Sequence, residues 1–222
     1  MRRPEPSAGH RNVPLSYFDA MYESSDDPWG FGSRWYEQRK YALTLALLSS
    51  PRYLSGFEPG CSIGVLSEAL ATRCDRLLCT DISDRAIGLA RDRLRHADNV
   101  RLRTCDAFTD WPDAQFDLIV VSELLYYLDG EALGDLISRL ARSLTAGGEV
   151  VAVHWRHHVA EYPSSGDDVH DALVRSPALL RRAGYTDRDF RAESFTVGDT
   201  PWVAERDGLV AVESATQASR SS

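Results

Sequence analysis

Cysteine is scarce, with 4 in 222 residues, and Cys61, Cys74, Cys79 and Cys105 form no Cys-x-x-Cys pair. No histidine or cysteine cluster accompanies them at ligand spacing, which argues against zinc and against a disulfide framework. What remains is buried, reduced thiols in a cytoplasmic protein. Long apolar runs are missing too. None approaches the roughly 18 to 20 residues of a membrane helix, and no apolar segment follows Arg2 and Arg3 as a secretory signal would require. Positive charge is short: 25 Lys+Arg stand against 33 Asp+Glu, a net charge of −8. A broad basic surface for nucleic acid is thereby excluded. No internal repeat is present.

Hydrophobic residues make up 43% and charged residues 26% of the chain, the balance of an ordinary globular protein, with length for one α/β domain and a full core. Residues 1–14 carry three prolines and no periodicity, and read as a mobile leader. A short helix is expected over Leu15–Tyr22 with Ser16 as its cap, then an aromatic-bearing loop, Ser24 to Gly32. Ser33 can cap a second helix over Arg34–Leu48, with Tyr41, Leu45 and Leu48 on its apolar face. Residues 15–50 form a helical arm ahead of a domain over 51–214; 215–222 read as a loose tail.

From Tyr53 onward, strand and helix patterns alternate. Strands are expected at Tyr53–Glu58, Leu77–Asp81, Val100–Cys105, Phe116–Val121 and Glu149–Trp155. Helices lie between them: Ile63–Arg73, one capped by Ser83, and one capped by Asp129 and ended by Gly147-Gly148. This alternation predicts a parallel sheet with helices on both faces. After Trp155 the pattern changes to a histidine-bearing loop and a helix over Asp168–Ala183 interrupted near Pro177. Two late strands follow, Arg188–Val197 and Leu209–Glu213, as an antiparallel pair.

The stretch Glu58-Pro59-Gly60-Cys61-Ser62-Ile63-Gly64 joins the first strand to its helix. A glycine-bearing bend there lets the backbone approach a ligand. Asp81 ends the next strand, 21 residues after Gly60, at the spacing of an acid that grips a ribose in an adenosine-containing cofactor. Its carboxylate would repel a phosphate, which disfavours NADP. The Gly-x-Gly-x-x-Gly of nicotinamide binders is absent.

The order Glu58-x-Gly60-x-x-x-Gly64, Asp81, Asp106-Ala107 and the strand Phe116-Asp117-Leu118-Ile119-Val120-Val121-Ser122 resembles the class I S-adenosylmethionine-dependent methyltransferases. That resemblance implies a Rossmann-like α/β fold, a seven-stranded, mostly parallel sheet with an antiparallel last strand. It also implies S-adenosyl-L-methionine as cofactor. Gly60, Ser62 and Gly64 would pack against its methionyl part, Asp81 with Ile82 would hold the ribose, Asp106 with Ala107 would hold the adenine, and Ser122 would lie beyond. Ser62 replaces a glycine common in that family, and its hydroxyl could bond the cofactor carboxylate.

The flanks Asp27-Pro28-Trp29, Trp35-Tyr36-Glu37-Gln38-Arg39-Lys40-Tyr41 and Val153-His154-Trp155-Arg156-His157 resemble the nodulation-type (NodS-like) methyltransferases. Those N-methylate the deacetylated terminal glucosamine of a chitooligosaccharide. The resemblance implies a small acceptor, an amino sugar, oligosaccharide or natural product, methylated on an amino or hydroxyl group.

Trp29 and Arg39 read either as plain packing and a solvated arginine, or as a lid with Arg39 pairing the cofactor carboxylate. An aromatic lid would also favour a sulfonium. Lys40 reads as a solvated surface charge. Glu123 is either a helix cap or a site carboxylate, and His154 either a core histidine or a base facing the acceptor. As catalytic candidates either could take up the acceptor's proton. Tyr126, Trp155 and His157 are expected on the substrate side, and His170 exposed. No metal is expected. Two other readings are an oxidoreductase of related fold using a nucleotide cofactor and a cofactor-binding protein without catalysis.

Overall fold

A computed structural model describes residues 13–210. The expected leader lies outside the described residues up to position 12, and the expected tail wholly so. Two helices, α1 (Leu15–Ser24) and α2 (Trp35–Leu47), precede β1 (Gly56–Pro59), α3 (Val65–Ala71), β2 (Leu77–Asp81), α4 (Asp84–Arg93), β3 (Val100–Thr104) and β4 (Phe116–Ser122). A 3-10 turn (Leu125–Tyr127), α5 (Gly130–Arg142), β5 (Leu144–Trp155), α6 (Gly166–Arg175), β6 (Leu180–Thr186), β7 (Phe190–Thr196) and α7 (Val203–Arg206) follow.

The strands form one seven-stranded sheet in the order β3-β2-β1-β4-β5-β7-β6. The pairs among β1 to β5 are parallel, and β7 runs antiparallel between β5 and β6. Alternation along β4 explains why both faces carry helices. Ile119 and Val121 join one apolar cluster with Leu133, Leu136, Ile137 and Leu140 of α5. Leu118 and Val120 join the opposite cluster with Leu66 and Leu70 of α3. All four β4 side chains are fully buried, each worth about 1.5–3 kcal/mol. Strand order reverses between β1 and β4, so the crevice at their carboxyl ends is where an open sheet of this kind takes a ligand.

Ser83 and Asp129 cap α4 and α5 as expected, accepting from Ala86 N and Ala132 N. Ser16 and Ser33 do not cap; Pro14 and Arg34 occupy those positions without a side-chain bond. Helix α5 ends at Ser143, and Gly147, at φ +74°, sits inside β5 instead of stopping the helix. The helix expected to Ala183 stops at Arg175. Ser176 is extended (ψ 122°), the conformation that a following proline favours. The chain then forms β6, which pairs with β7 across a turn whose Asp187 Oδ1 accepts from Asp189 N and Phe190 N at 2.8 and 3.0 Å. The antiparallel partner of β7 is therefore this earlier segment. Leu209 is 77% exposed outside any strand, and 211–213 lie outside the described residues.

Candidate functional site

The carboxyl ends of β1, β2 and β4 open into a cavity of about 560 Å³ roofed by α1, α2 and the loop between them. Its floor is the bend after β1. Gly60 and Cys61 both donate to Thr80 O, at 2.7 and 2.9 Å, locking the bend to β2. Gly60 is at φ +73° and Gly64 at φ +77°, a region that costs most residues free energy but glycine little. Ser62 between them is also left-handed, φ +51°. Its N–H donates to Asp81 Oδ2 at 2.8 Å, and Ser83 N donates to Asp81 Oδ1 at 3.0 Å. Asp81 thus holds the bend in a conformation that a serine does not adopt unaided. Burial raises its carboxyl, against the lowering pull of those N–H groups.

Gly60, Ser62, Asp81, Ile82, Asp106, Ala107, Ser122 and Trp29 all lie on the cavity wall. Gly64 does not; a Cβ there would meet Leu94 Cδ1 at 3.1 Å and Ala90 Cβ at 3.2 Å, so its glycine serves the packing of α3 on α4. The hydroxyl of Ser62, expected to face a ligand, pairs with Tyr22 OH at 2.5 Å. Tyr22 meets Trp29 edge-on, and Trp29 stacks on Phe31. Asp27 fixes this aromatic roof by accepting from Phe31 N and Gly32 N at 2.7 and 2.9 Å, which gives the Asp27-Pro28-Trp29 motif a physical role.

Arg39 is corrected. Its guanidinium lies away from the cavity, bonded to Tyr185 OH and, at 2.9 Å, to Asp187, and facing the rings of Tyr185 and Phe190. Lys40 is corrected in the opposite direction. It is the chain's single lysine, is 2% exposed and lines the cavity. Its Nζ lies 2.8 Å from Glu123 Oε1 and 2.9 Å from Glu37 Oε2. Burial pushes Lys40 down, but the two carboxylates outweigh it and keep it charged. The buried stripe of α2 is therefore Glu37, Lys40 and Thr44, rotated from the apolar face read at Tyr41 and Leu45.

Glu123, at φ +55°, also lines the cavity. Besides Lys40, it accepts from Tyr126 OH at 2.7 Å and Trp155 N at 3.1 Å. A bulky non-glycine held left-handed is strained, and such strain gathers at functional sites. Tyr126 and Trp155 line the wall beside it, as do Tyr36, Tyr127 and Tyr162; Tyr126 stacks on Tyr162 with centroids 4.7 Å apart. His157 is not in the main cavity. It borders an adjoining pocket of about 170 Å³ and faces Asp189 at 2.8 Å.

His154 is a core histidine, not a residue facing an acceptor. It is fully buried and off the cavity wall. Leu125 N, which can only donate, lies 3.2 Å from His154 Nε2. Its Nδ1 therefore carries the proton and donates to His170 Nε2 at 3.2 Å, and His170 Nδ1 donates to Glu193 Oε2 at 2.7 Å. His170, expected exposed, is fully buried. Burial lowers both imidazoles, His154 furthest. Unfolded imidazoles bind protons near pH 6.5 and these folded ones do not, so protons favour the unfolded chain below that pH. Stability is full above pH 6.5 and falls as pH falls. His154→Ala, which orphans Leu125 N and leaves a cavity, is expected to cost about 2–4 kcal/mol by denaturant titration. It should also flatten the loss of melting temperature between pH 7 and 5.5; an unflattened curve would refute the histidine assignment.

The sequence reading placed Tyr126 on the substrate side but missed Tyr22, Glu37 and the other tyrosines of the wall, Tyr36, Tyr127 and Tyr162. For Tyr22 and Tyr36 the signal was the clustering of aromatics in the arm; Glu37, Tyr127 and Tyr162 had none. Among the described residues, no group of three or more His, Cys, Asp or Glu is placed to hold a metal ion, the four cysteines are buried free thiols, and no helix is long and apolar enough to cross a membrane.

A seven-stranded sheet in this order, with the ligand crevice at the carboxyl ends of β1 and β4, is the class I methyltransferase fold. The chain belongs to the nodulation protein S (NodS) family, whose model matches residues 21–162. It is 33% identical over 130 residues to nodulation protein S of Sinorhizobium fredii, a match covering 58% of this chain and 60% of that protein. To nodulation protein S of Bradyrhizobium diazoefficiens it is 34% identical over 142 residues, covering 60% and 68%. The chain thus spans less than two thirds of the Sinorhizobium relative's length. Among solved structures, the N-methyltransferase NodS from Bradyrhizobium japonicum in complex with S-adenosyl-L-homocysteine superposes with a TM-score of 0.75 at 26% identity, covering 86% of this chain and all of that one. A structure described as a putative methyltransferase from Pseudomonas syringae is 41% identical with a TM-score of 0.65, covering 73% and 99%.

Proposed function

We propose that this chain transfers a methyl group from S-adenosyl-L-methionine to an amino group of a small sugar-like acceptor, a deacetylated chitooligosaccharide amine being the leading candidate. The observation that carries this reading is one cavity joining two walls. On one side is a left-handed bend tied to an acid at the end of β2; on the other is a carboxylate and tyrosine wall at the end of β4. Family membership supports it.

The residues fit the cofactor. A Cβ on Gly60 would come 3.1 Å from Leu124 Cδ1 and intrude on the cradle. Asp81 accepts backbone N–H groups from Ser62, Ile82 and Ser83, and a carboxylate with about four lone-pair sites still has room for a ribose hydroxyl. Asp106 and Ala107 would border the adenine, and Trp29 with Tyr22 would cover the methionyl end. Five carboxylates and two cations line the cavity, a balance that suits a sulfonium. When bound, the cofactor supplies a methyl group already activated for attack. The chain's own residues then hold the acceptor in line and exclude water; Tyr126, Tyr162 and Trp155 offer the flat apolar faces that a sugar ring stacks on. Glu123 braces this wall through three donors. A cytoplasmic setting accords with four free thiols.

Methyl transfer to a panel of amino sugars and deacetylated chitooligosaccharides, followed by mass detection, is expected to give singly methylated amines. Calorimetry is expected to show S-adenosylmethionine binding and no NAD binding. Turnover confined to hydroxyl acceptors, or binding of NAD instead, would sink the proposal.

A further inference from the structure

We infer that Glu37 is the base that strips the proton from the acceptor's ammonium, with Lys40 and Glu123 setting it to that task. The inference rests on the amine-methylating reading above. It begins from a charge count. Glu37, Lys40 and Glu123 meet on the cavity wall within ion-pair distance, two carboxylates around one ammonium. The trio carries one negative charge too many, and one proton neutralises it.

Geometry decides which carboxylate takes that proton. Glu123 is spoken for: Lys40 Nζ occupies its Oε1, and Tyr126 OH and Trp155 N occupy its Oε2. Glu37 is 5% exposed. Its Oε2 lies 2.9 Å from Lys40 Nζ without an aligned hydrogen bond from any described residue. The groups facing it are Lys40 and Tyr41 on its own helix and Glu123 beyond β4. Burial raises its carboxyl, and Glu123 raises it further, against the lowering pull of Lys40 and Tyr41. Of the two, Glu37 is the one with an oxygen free to take a proton from an acceptor in the cavity.

The step balances. An N–H bond of the acceptor ammonium breaks and a Glu37 O–H bond forms. The freed lone pair makes the N–C bond as the C–S bond of the sulfonium breaks onto sulfur. The methylated amine leaves as a cation and Glu37 returns its proton to solvent.

The test is Glu37→Gln, assayed from pH 6 to 10 against the best amine of the panel, with melting temperature and S-adenosylhomocysteine affinity as checks on folding. The kcat is expected to fall by about a hundredfold or more at pH 7. It should then climb roughly tenfold per pH unit toward the wild-type value, as the amine arrives already deprotonated. A kcat within threefold of wild type at pH 7 overturns the assignment, as does a loss equal at every pH, the mark of a merely structural role. If Glu37→Gln does not fold, Glu37→Asp carries the test. Its kcat should fall while its acid limb persists, and an unchanged kcat overturns the assignment. Absence of wild-type turnover with every amine overturns the proposed function too; wild-type turnover with an unaffected Glu37→Gln overturns this inference alone.

Discussion

Asp81→Ala is expected to lower affinity for S-adenosylmethionine by about a hundredfold or more. Hydrogen bonds to a charged group are each worth about 1.5–3 kcal/mol, and the one to a ribose hydroxyl would be lost. The side chain has a second task, because its oxygens also hold Ser62 N and Ser83 N. Ser62 is left-handed at φ +51°, and without Asp81 the bend is freer to relax. The two effects separate in a double cycle. A cofactor analogue lacking the ribose 2′-hydroxyl should bind the wild type more weakly, yet lose little further affinity in Asp81→Ala. Asp81→Asn, which keeps an acceptor for one N–H, is expected to fall between the two. Calorimetry reads all five affinities. Binding within threefold of wild type in Asp81→Ala would leave Asp81 as a loop tie and remove it from the cofactor site.

What the sequence made legible follows from how local each signal is. β2, β4 and the caps Ser83 and Asp129 announce themselves through neighbours a few residues away, and the structure keeps them. The segment Leu180–Thr186 was misread because it is an edge strand with most of its residues exposed, so no alternation of burial marks it. Only its pairing with β7 makes it a strand. The site divides along the same line. Gly60, Asp81 and Asp106 stand at or just past strand ends fixed by the sheet; spacing pointed to Gly60 and Asp81, and the methyltransferase resemblance to Asp106. Arg39, Lys40 and His154 went wrong because their partners are distant in the chain. Arg39 meets Asp187, 148 residues on; Lys40 meets Glu123, 83 residues on; His154, in β5, meets His170 on α6, 16 residues on. A charged helix residue reads as solvated until its counter-charge is known.

Lys40→Met is the sharpest test of that last point, and the effect should be large. The aliphatic stem is matched in volume, so the change removes little but charge. Glu37 and Glu123 are left facing each other in the wall, with no cation between them. Breaking a buried ion pair from one side costs about 3–5 kcal/mol, here a drop in Tm on the order of 10 °C. The loss depends on pH with a definite sign. Burial already raises the Glu37 carboxyl, and losing the ammonium that pulls it down raises it further, so in the variant protons favour the folded state. The variant is therefore least destabilised at pH 5 and loses stability as pH rises toward 8. Lys40→Met with Glu37→Gln, which removes one of the two repelling charges, should recover a large part of the loss. Thermal melts of the wild type and both variants at the two pH values decide it. A Lys40→Met melt within 2 °C of wild type would mean that the lysine is solvated after all, and one equally depressed at both pH values that it acts by packing alone; either way the charge count that assigns Glu37 its proton would fall.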